Sequence, residues 1–184
     1  MFTTRVQGKK GHEVLRTAEL LAAAAATEGR PAAAALTAPG VSLCTIDGGA
    51  TADAGPPRPA DALIVQDPAE LSRPDIFAGL SPEAYVLVNS ICGFGDLGVG
   101  ERVERFCRDR ALILPAARLQ LGLHDAAVRS SGLVGGFAAL SRVVSLDSVI
   151  SAINRMPDST AWACAEAAMA GYEFVKAEKD ALAA

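Results

Sequence analysis

Residues 5–24 read RVQGKKGHEVLRTAELLAAA. A short piece with strand character runs into Gly8-Lys9-Lys10-Gly11-His12-Glu13, and a long Ala/Leu helical pattern follows. That order of strand, glycine loop and helix start opens a repeated strand–helix alternation, which argues for an α/β fold. It is also the order of a phosphate cradle, in which backbone N–H groups and the positive end of the helix dipole face an anion. Lys9 and Lys10 add charge to such a loop. The loop is not a P-loop, because GxxxxGK[ST] is absent. A solvated turn carrying two surface lysines fits the same residues, so the local sequence leaves both readings open.

Working outward, strand and helix patterns alternate. Residues 2–7 suit a first strand and 13–28 a helix, closed by Gly29 and Pro31. Residues 32–36 fit either state. VSLCTI at 41–46 suits a strand followed by an Asp47-Gly48-Gly49 turn, and 48–59 read as a surface loop rich in Gly, Pro and Ala. The runs ALIVQ (62–66), YVLVN (85–89) and ALIL (111–114) are short and continuously apolar, as expected of strands buried on both faces. Asp67-Pro68-Ala69-Glu70 and Ser81-Pro82-Glu83 both look like helix starts, with proline just after a capping residue. Residues 101–110 read as a charged amphipathic helix. Beyond Asp125 three helices are expected, over 130–144, from near Leu146, and over 159–178. The fold class that follows is α/β, with a mostly parallel or mixed sheet, helices on both faces and a helical C-terminal part. The length of 184 residues is that of one domain, 1–184.

Composition narrows the function. A net charge of −4 argues against nucleic acid as a partner, since counterion displacement needs a basic surface. No apolar stretch is long enough to span a bilayer, and the N-terminal residues lack the apolar core of a signal peptide, so a cytoplasmic protein is expected. Apolar residues make up 51% but aromatics only 5%. Each alanine buries little area, so association with other chains is expected to supply part of the stability. Cys44, Cys92, Cys107 and Cys164 form no CxxC pair and read as buried free thiols.

Other sites carry less. Gly93-Phe94-Gly95-Asp96-Leu97-Gly98 matches GxGxxG, but no acidic residue ends the next strand, ALIL, as a dinucleotide site requires. An irregular glycine-rich loop is the simpler reading. His12 sits on the first glycine loop, within reach of a ligand there, whereas His124 lies in a Gly122–Asp125 turn and reads as structural. There is no GxSxG elbow, no metal-ligand spacing and no acid/base pair. The catalytic set is empty, and the chain does not read as a complete enzyme.

The order of the pieces resembles the gamma subunit, or gamma domain, of 2-oxoacid:ferredoxin (acceptor) oxidoreductases, the family of pyruvate:ferredoxin oxidoreductase. Nearly the whole chain takes part. The family's opening strand and G-x-G-G-Q-G loop are similar to Gly8–Glu13, with Leu20-Leu21-Ala22 at the matching distance. Its R-G-G segment before a strand is similar to Ala38-Pro39-Gly40 and VSLCTI, with the arginine replaced. Asp61–Asp67, Val86–Ser90 and Leu114-Pro115-Ala116 resemble three later family segments. A helix start over 131–136 and the closing Ala167, Gly171, Tyr172 and Glu173 complete the pattern.

The resemblance implies a cytoplasmic hetero-oligomer that oxidatively decarboxylates a 2-oxoacid to an acyl-CoA. Members acting on aromatic 2-oxoacids such as phenylglyoxylate belong to the same family. Thiamine diphosphate and iron–sulfur clusters are implied in partner subunits, one thiamine-binding and one ferredoxin-like. Coenzyme A is implied at this chain, as a substrate. Its contacts would be Gly8, Lys9, Lys10, Gly11 and His12, with Pro39, Gly40 and Ser42 beside them. The chain departs from the family at Lys10 and Glu13, which replace glycines, and at His12, which replaces glutamine. A scaffold subunit without ligand binding and a free-standing α/β nucleotide-binding protein are the alternatives.

Overall fold

The computed structural model describes residues 1–48, 58–119, 121, 125–156 and 160–183. Six strands form one sheet: β1 (Phe2–Gln7), β2 (Ala32–Ala38), β3 (Val41–Ile46), β4 (Ala60–Val65), β5 (Leu80–Asn89) and β6 (Ala111–Leu114). Their order is β2-β3-β1-β4-β5-β6. The right half is parallel, β1 to β4 to β5 to β6, while β3 runs antiparallel to both β1 and β2. The sheet is therefore mixed. Residues 32–36, ambiguous in sequence, become an edge strand because the tight turn at Pro39-Gly40 pairs them with β3.

One face is covered by four helices: α1 (Gly11–Thr27), α3 (Ala126–Ser141), α4 (Leu146–Asn154) and α5 (Ala161–Ala183). Val6, Ile46, Ile64, Leu87 and Leu114 of the sheet pack there against Val14, Leu21, Leu133 and Phe137. Glycines let α3 and α5 pack closely. A Cβ on Gly135 would lie 2.0 Å from the carbonyl oxygen of Ala168, and one on Gly171 would lie 2.1 Å from that of Gly132. Only glycine permits backbones this close. The other face is covered more lightly, by a 3₁₀ turn (Pro68–Ser72), by α2 (Gly100–Val103) and by the segments joining them. Leu63, Val65, Val86 and Val88 meet Leu71, Ile76, Phe77 and Phe106 on that side. β4 thus faces apolar groups on both sides, as its unbroken apolar run requires.

Several sequence expectations need correction. Ser81-Pro82-Glu83 does not start a helix; it lies in β5. The register jumps there, from Ala60↔Leu80 to Ala62↔Tyr85, and a proline is tolerated at such an irregular strand start. The charged helix over 101–110 shortens to Gly100–Val103, because Phe106 turns into the second core and the Arg110 carbonyl already accepts from Val86 N at the head of the β5–β6 pairing. Asp67-Pro68-Ala69-Glu70 starts only a 3₁₀ turn, with Asp67 accepting from Ala69 N at 3.0 Å. α3 begins early, capped by Asp125, and ends at Ser141 because Arg142 adopts φ 57°. The expected loop over 48–59 lies mostly outside the described residues, as do His124 and Ser159. All four cysteines are free, but only Cys44 and Cys164 are buried; Cys92 and Cys107 are exposed. No described helix is long and apolar enough to cross a membrane.

Candidate functional site

The connections of the sheet diverge between β1 and β4. From β1 the chain passes through α1 to β2 and β3 on one side; from β4 it moves to β5 and β6 on the other. Side chains cannot fill the space that opens at the carboxyl ends of strands at such a point, and ligands of open α/β sheets bind there. A cleft of about 350 Å³ lies at this place, bordered by Gly8 after β1, Gln66 and Asp67 after β4, Asn89 at the end of β5 and Ala116 after β6.

Two glycines set the floor. Gly8 N donates to Gly40 O at 3.0 Å, which ties the β2–β3 turn to the loop. Gly40 has φ 72°, and a Cβ there would lie 2.2 Å from Gly8 O. A Cβ on Gly8 would approach Val14 Cγ1 to 3.1 Å and Gln66 Cβ to 3.2 Å. Lys10 then caps α1 in an extended conformation, without a side-chain cap bond, and its carbonyl accepts from Glu13 N and Val14 N. The N–H groups of Gly11 and His12 precede that ladder, at the positive end of α1.

The rim is strongly charged. Lys9 Nζ stands 3.2 Å from Asp67 Oδ2. Glu13 accepts from Lys10 Nζ at 3.1 Å and from Arg129 Nη2, on α3, at 2.9 Å. Burial works against the charge on Glu13, but the hydrogen bonds from Lys10 and Arg129, with the charges behind them, outweigh it and hold the carboxyl below the usual carboxylate range. Among the described residues, three cations and two carboxylates leave the rim one net positive charge. Behind it, Gln66 donates to Thr17 Oγ1 and to Glu13 O, while its Oε1 is buried with no partner among the described residues. Asn89 stitches the strand ends together, donating to Gln66 O at 3.0 Å and accepting from Ala116 N at 3.3 Å.

Of the residues singled out from sequence, Gly8, Lys9 and Lys10 line the cleft. Gly11 faces Leu36, and His12 is exposed on the first turn of α1, outside the lining. Pro39 is exposed, and Gly40 supports Gly8 from behind. Ser42 is fully buried in β3 opposite Val6, with its hydroxyl unpartnered among the described residues. The Gly93–Gly98 loop lies away from the cleft, with Phe94 and Leu97 against the second core. Gly93 N donates to Asp96 Oδ2 at 3.1 Å, and the helix that follows lasts four residues. Sequence reasoning did not assign Gln66, Asn89 or Arg129 to the site. The first two had a signal, since each is a polar residue closing a buried apolar run. Arg129 had none. Among the described residues no three His, Cys, Asp or Glu side chains are grouped to hold a metal ion.

The model of the family described as pyruvate ferredoxin/flavodoxin oxidoreductase matches residues 3–174. A comparison with curated proteins gives no match. Among solved structures, pyruvate oxidoreductase subunit PORC from Thermotoga maritima is similar, with a TM-score of 0.69, 22% identity and coverage of 94% of this chain and 95% of that one. The gamma subunit of a keto/oxoacid ferredoxin oxidoreductase from Geobacter sulfurreducens gives a TM-score of 0.66 at 19% identity, covering 96% and 99%. The match over nearly the full length agrees with the mixed sheet, the loop after β1 and the helical C-terminal part. The chain belongs to the pyruvate ferredoxin/flavodoxin oxidoreductase family and is built on the fold of its gamma-type subunits.

Proposed function

We propose that this chain is the gamma-type subunit of a multi-subunit 2-oxoacid oxidoreductase and that its cleft receives the phosphate-bearing part of coenzyme A. The observation that carries this is convergence. Gly8, the start of α1, Lys9, Lys10 and Arg129 meet at the diverging strand ends, in a space of about 350 Å³. Such a cleft is at the small end for a ligand site, so it suits part of a long cofactor whose remainder extends outward. Lysine ammonium groups and helix N–H groups bind phosphate oxygens through charge-assisted hydrogen bonds. The role of the chain is to bind and orient. The carbon chemistry at thiamine diphosphate and the electron transfer through iron–sulfur clusters belong, on this reading, to thiamine-binding and ferredoxin-like partner subunits.

One observation favours a scaffold role instead: Glu13 and Asp67 already pair with the rim cations. Titration of coenzyme A into the full chain, alone and in its complex, separates the two. Binding that Lys9→Ala/Lys10→Ala weakens by about tenfold or more, equivalent to roughly 1.4 kcal/mol, supports the loop as the site. If the double variant retains both its affinity and the coenzyme A dependence of acyl-CoA formation, the loop is not the site and the scaffold reading stands.

A further inference from the structure

Glu13 occupies a place a carboxylate should avoid if the loop only bound anions. It stands in the first turn of α1, lines the cleft and takes hydrogen bonds from two cations, Lys10 and Arg129. The two contacts are unequal. The Lys10 side chain is 64% exposed, so that pair is easily exchanged with solvent, whereas the Arg129 and Glu13 side chains are only 25% and 15% exposed. Arg129 comes from α3, 116 residues away in sequence, and reaches the cleft edge at Glu13. Two cations and a helix N-terminus around one pair of oxygens are the surroundings of a bound phosphate, here filled by a side chain. Gln66, 8% exposed and lining the cleft, donates to Thr17 and to the Glu13 carbonyl, so the first turn of α1 that carries Glu13 is tied to the end of β4 behind it.

We infer that Glu13 is an internal stand-in for the ligand's anion: it holds Lys10 and Arg129 in place and must release them when a phosphate group enters. The inference rests on the coenzyme A reading above and makes Glu13 the residue that sets affinity at this site. A carboxylate tethered beside its competitor has a high effective concentration, so the ligand gains less from the two cations than their number suggests. Removing the charge while keeping the shape removes the carboxylate's competition for both cations.

The test is the coenzyme A affinity of the full chain and of Glu13→Gln, with inorganic pyrophosphate as a second, minimal probe. Glu13→Gln is expected to bind both about tenfold tighter, since like charges brought together in an interface are strongly disfavoured. Arg129→Gln supplies a readout that a merely structural Glu13 would not move. In the Glu13→Gln background the loss of Arg129 should cost more affinity than in the wild type, because Arg129 no longer divides itself between carboxylate and ligand. Should Glu13→Gln fold poorly, Glu13→Asp decides: a shorter carboxylate cannot span both cations and should bind the ligand more tightly than the wild type. Wild-type binding with unchanged or weaker binding in these variants overturns the inference while leaving the coenzyme A reading intact. No binding of either probe by any form overturns both.

Discussion

Gly40→Ala is the substitution on which the fold and the site most directly meet. Gly40 has φ 72°, a region that costs an L-residue roughly 1–2 kcal/mol. The new Cβ would also lie 2.2 Å from the carbonyl oxygen of Gly8. Relief needs a movement of about 1 Å, since contacting carbon and oxygen stay more than about 3 Å apart. That movement strains or breaks the 3.0 Å bond from Gly8 N to Gly40 O, worth about 1 kcal/mol. The expected destabilisation is about 2–4 kcal/mol, or roughly 5–15 °C in Tm for a chain of this size. Two controls separate the terms. Gly29 and Gly79 have φ 76° and 68°, yet a Cβ on either meets nothing within 4 Å. Gly29→Ala and Gly79→Ala should therefore lose only the backbone part, about 1–2 kcal/mol. Urea denaturation of the three variants gives the difference, and coenzyme A titration of Gly40→Ala shows whether the floor of the cleft has moved. The reasoning fails if Gly40→Ala costs no more than the controls, or if it is destabilised by the full amount yet binds coenzyme A as the wild type does.

Three further outcomes are expected. Gly135→Ala, which on an exposed helix would gain up to about 1 kcal/mol, should instead lose about 3 kcal/mol or more in a denaturant titration, because the Cβ would sit 2.0 Å from Ala168 O and force α3 and α5 apart. Glu28 ties the end of α1 to α4 by accepting from Ser145 N at 2.8 Å and Ser148 Oγ at 2.7 Å. Burial opposes its charge, but these bonds outweigh that and hold its pKa below the usual value. With the folded value below the unfolded one, Glu28 stabilises the protein above the carboxylate range and loses that contribution as pH falls through it. Glu28→Gln should cost about 1–2 kcal/mol at neutral pH and flatten the acid side of a stability–pH curve. Native thiol titration should find Cys92 and Cys107 reactive and Cys44 inert, since burial pushes the Cys44 thiol up to about 12; a fast-reacting Cys44 would show that β3 opens readily.

The strands were legible wherever burial is two-sided. ALIV at 62–65, VLVN at 86–89 and ALIL at 111–114 need apolar surroundings above and below, and each is a strand pairing with its neighbour in that half of the sheet. What could not be read was the covering of the second face. Residues 101–110 carry a helical charge pattern, but Phe106 gains more by packing 5.9 Å from Phe77, ring to ring, than by continuing a helix. Ser81-Pro82-Glu83 carries real capping chemistry, and Ser81 Oγ does accept from Glu83 N at 3.2 Å, yet the strand pairing on both sides of it decides the outcome. Local propensity loses in both places to contacts made across the fold.

The site divides along the same line. Gly8, Lys9 and Lys10 are local, and a strand–loop–helix pattern is enough to place them at a strand end. The meaning of Glu13 is not local. Read beside the loop, it is a negative charge where the coenzyme A reading puts an anion; read with Arg129, it is one member of a three-residue cluster of two cations and one carboxylate. The arginine that changes that meaning lies on a helix with no charge pattern to announce it, and only the packing of α3 beside α1 brings it within 2.9 Å. On the coenzyme A reading, an acid at a loop position the family fills with glycine does not by itself abolish the proposed anion site. It makes the site conditional on a distant cation, and the coupling between Glu13 and Arg129 is the quantity that measures how strongly.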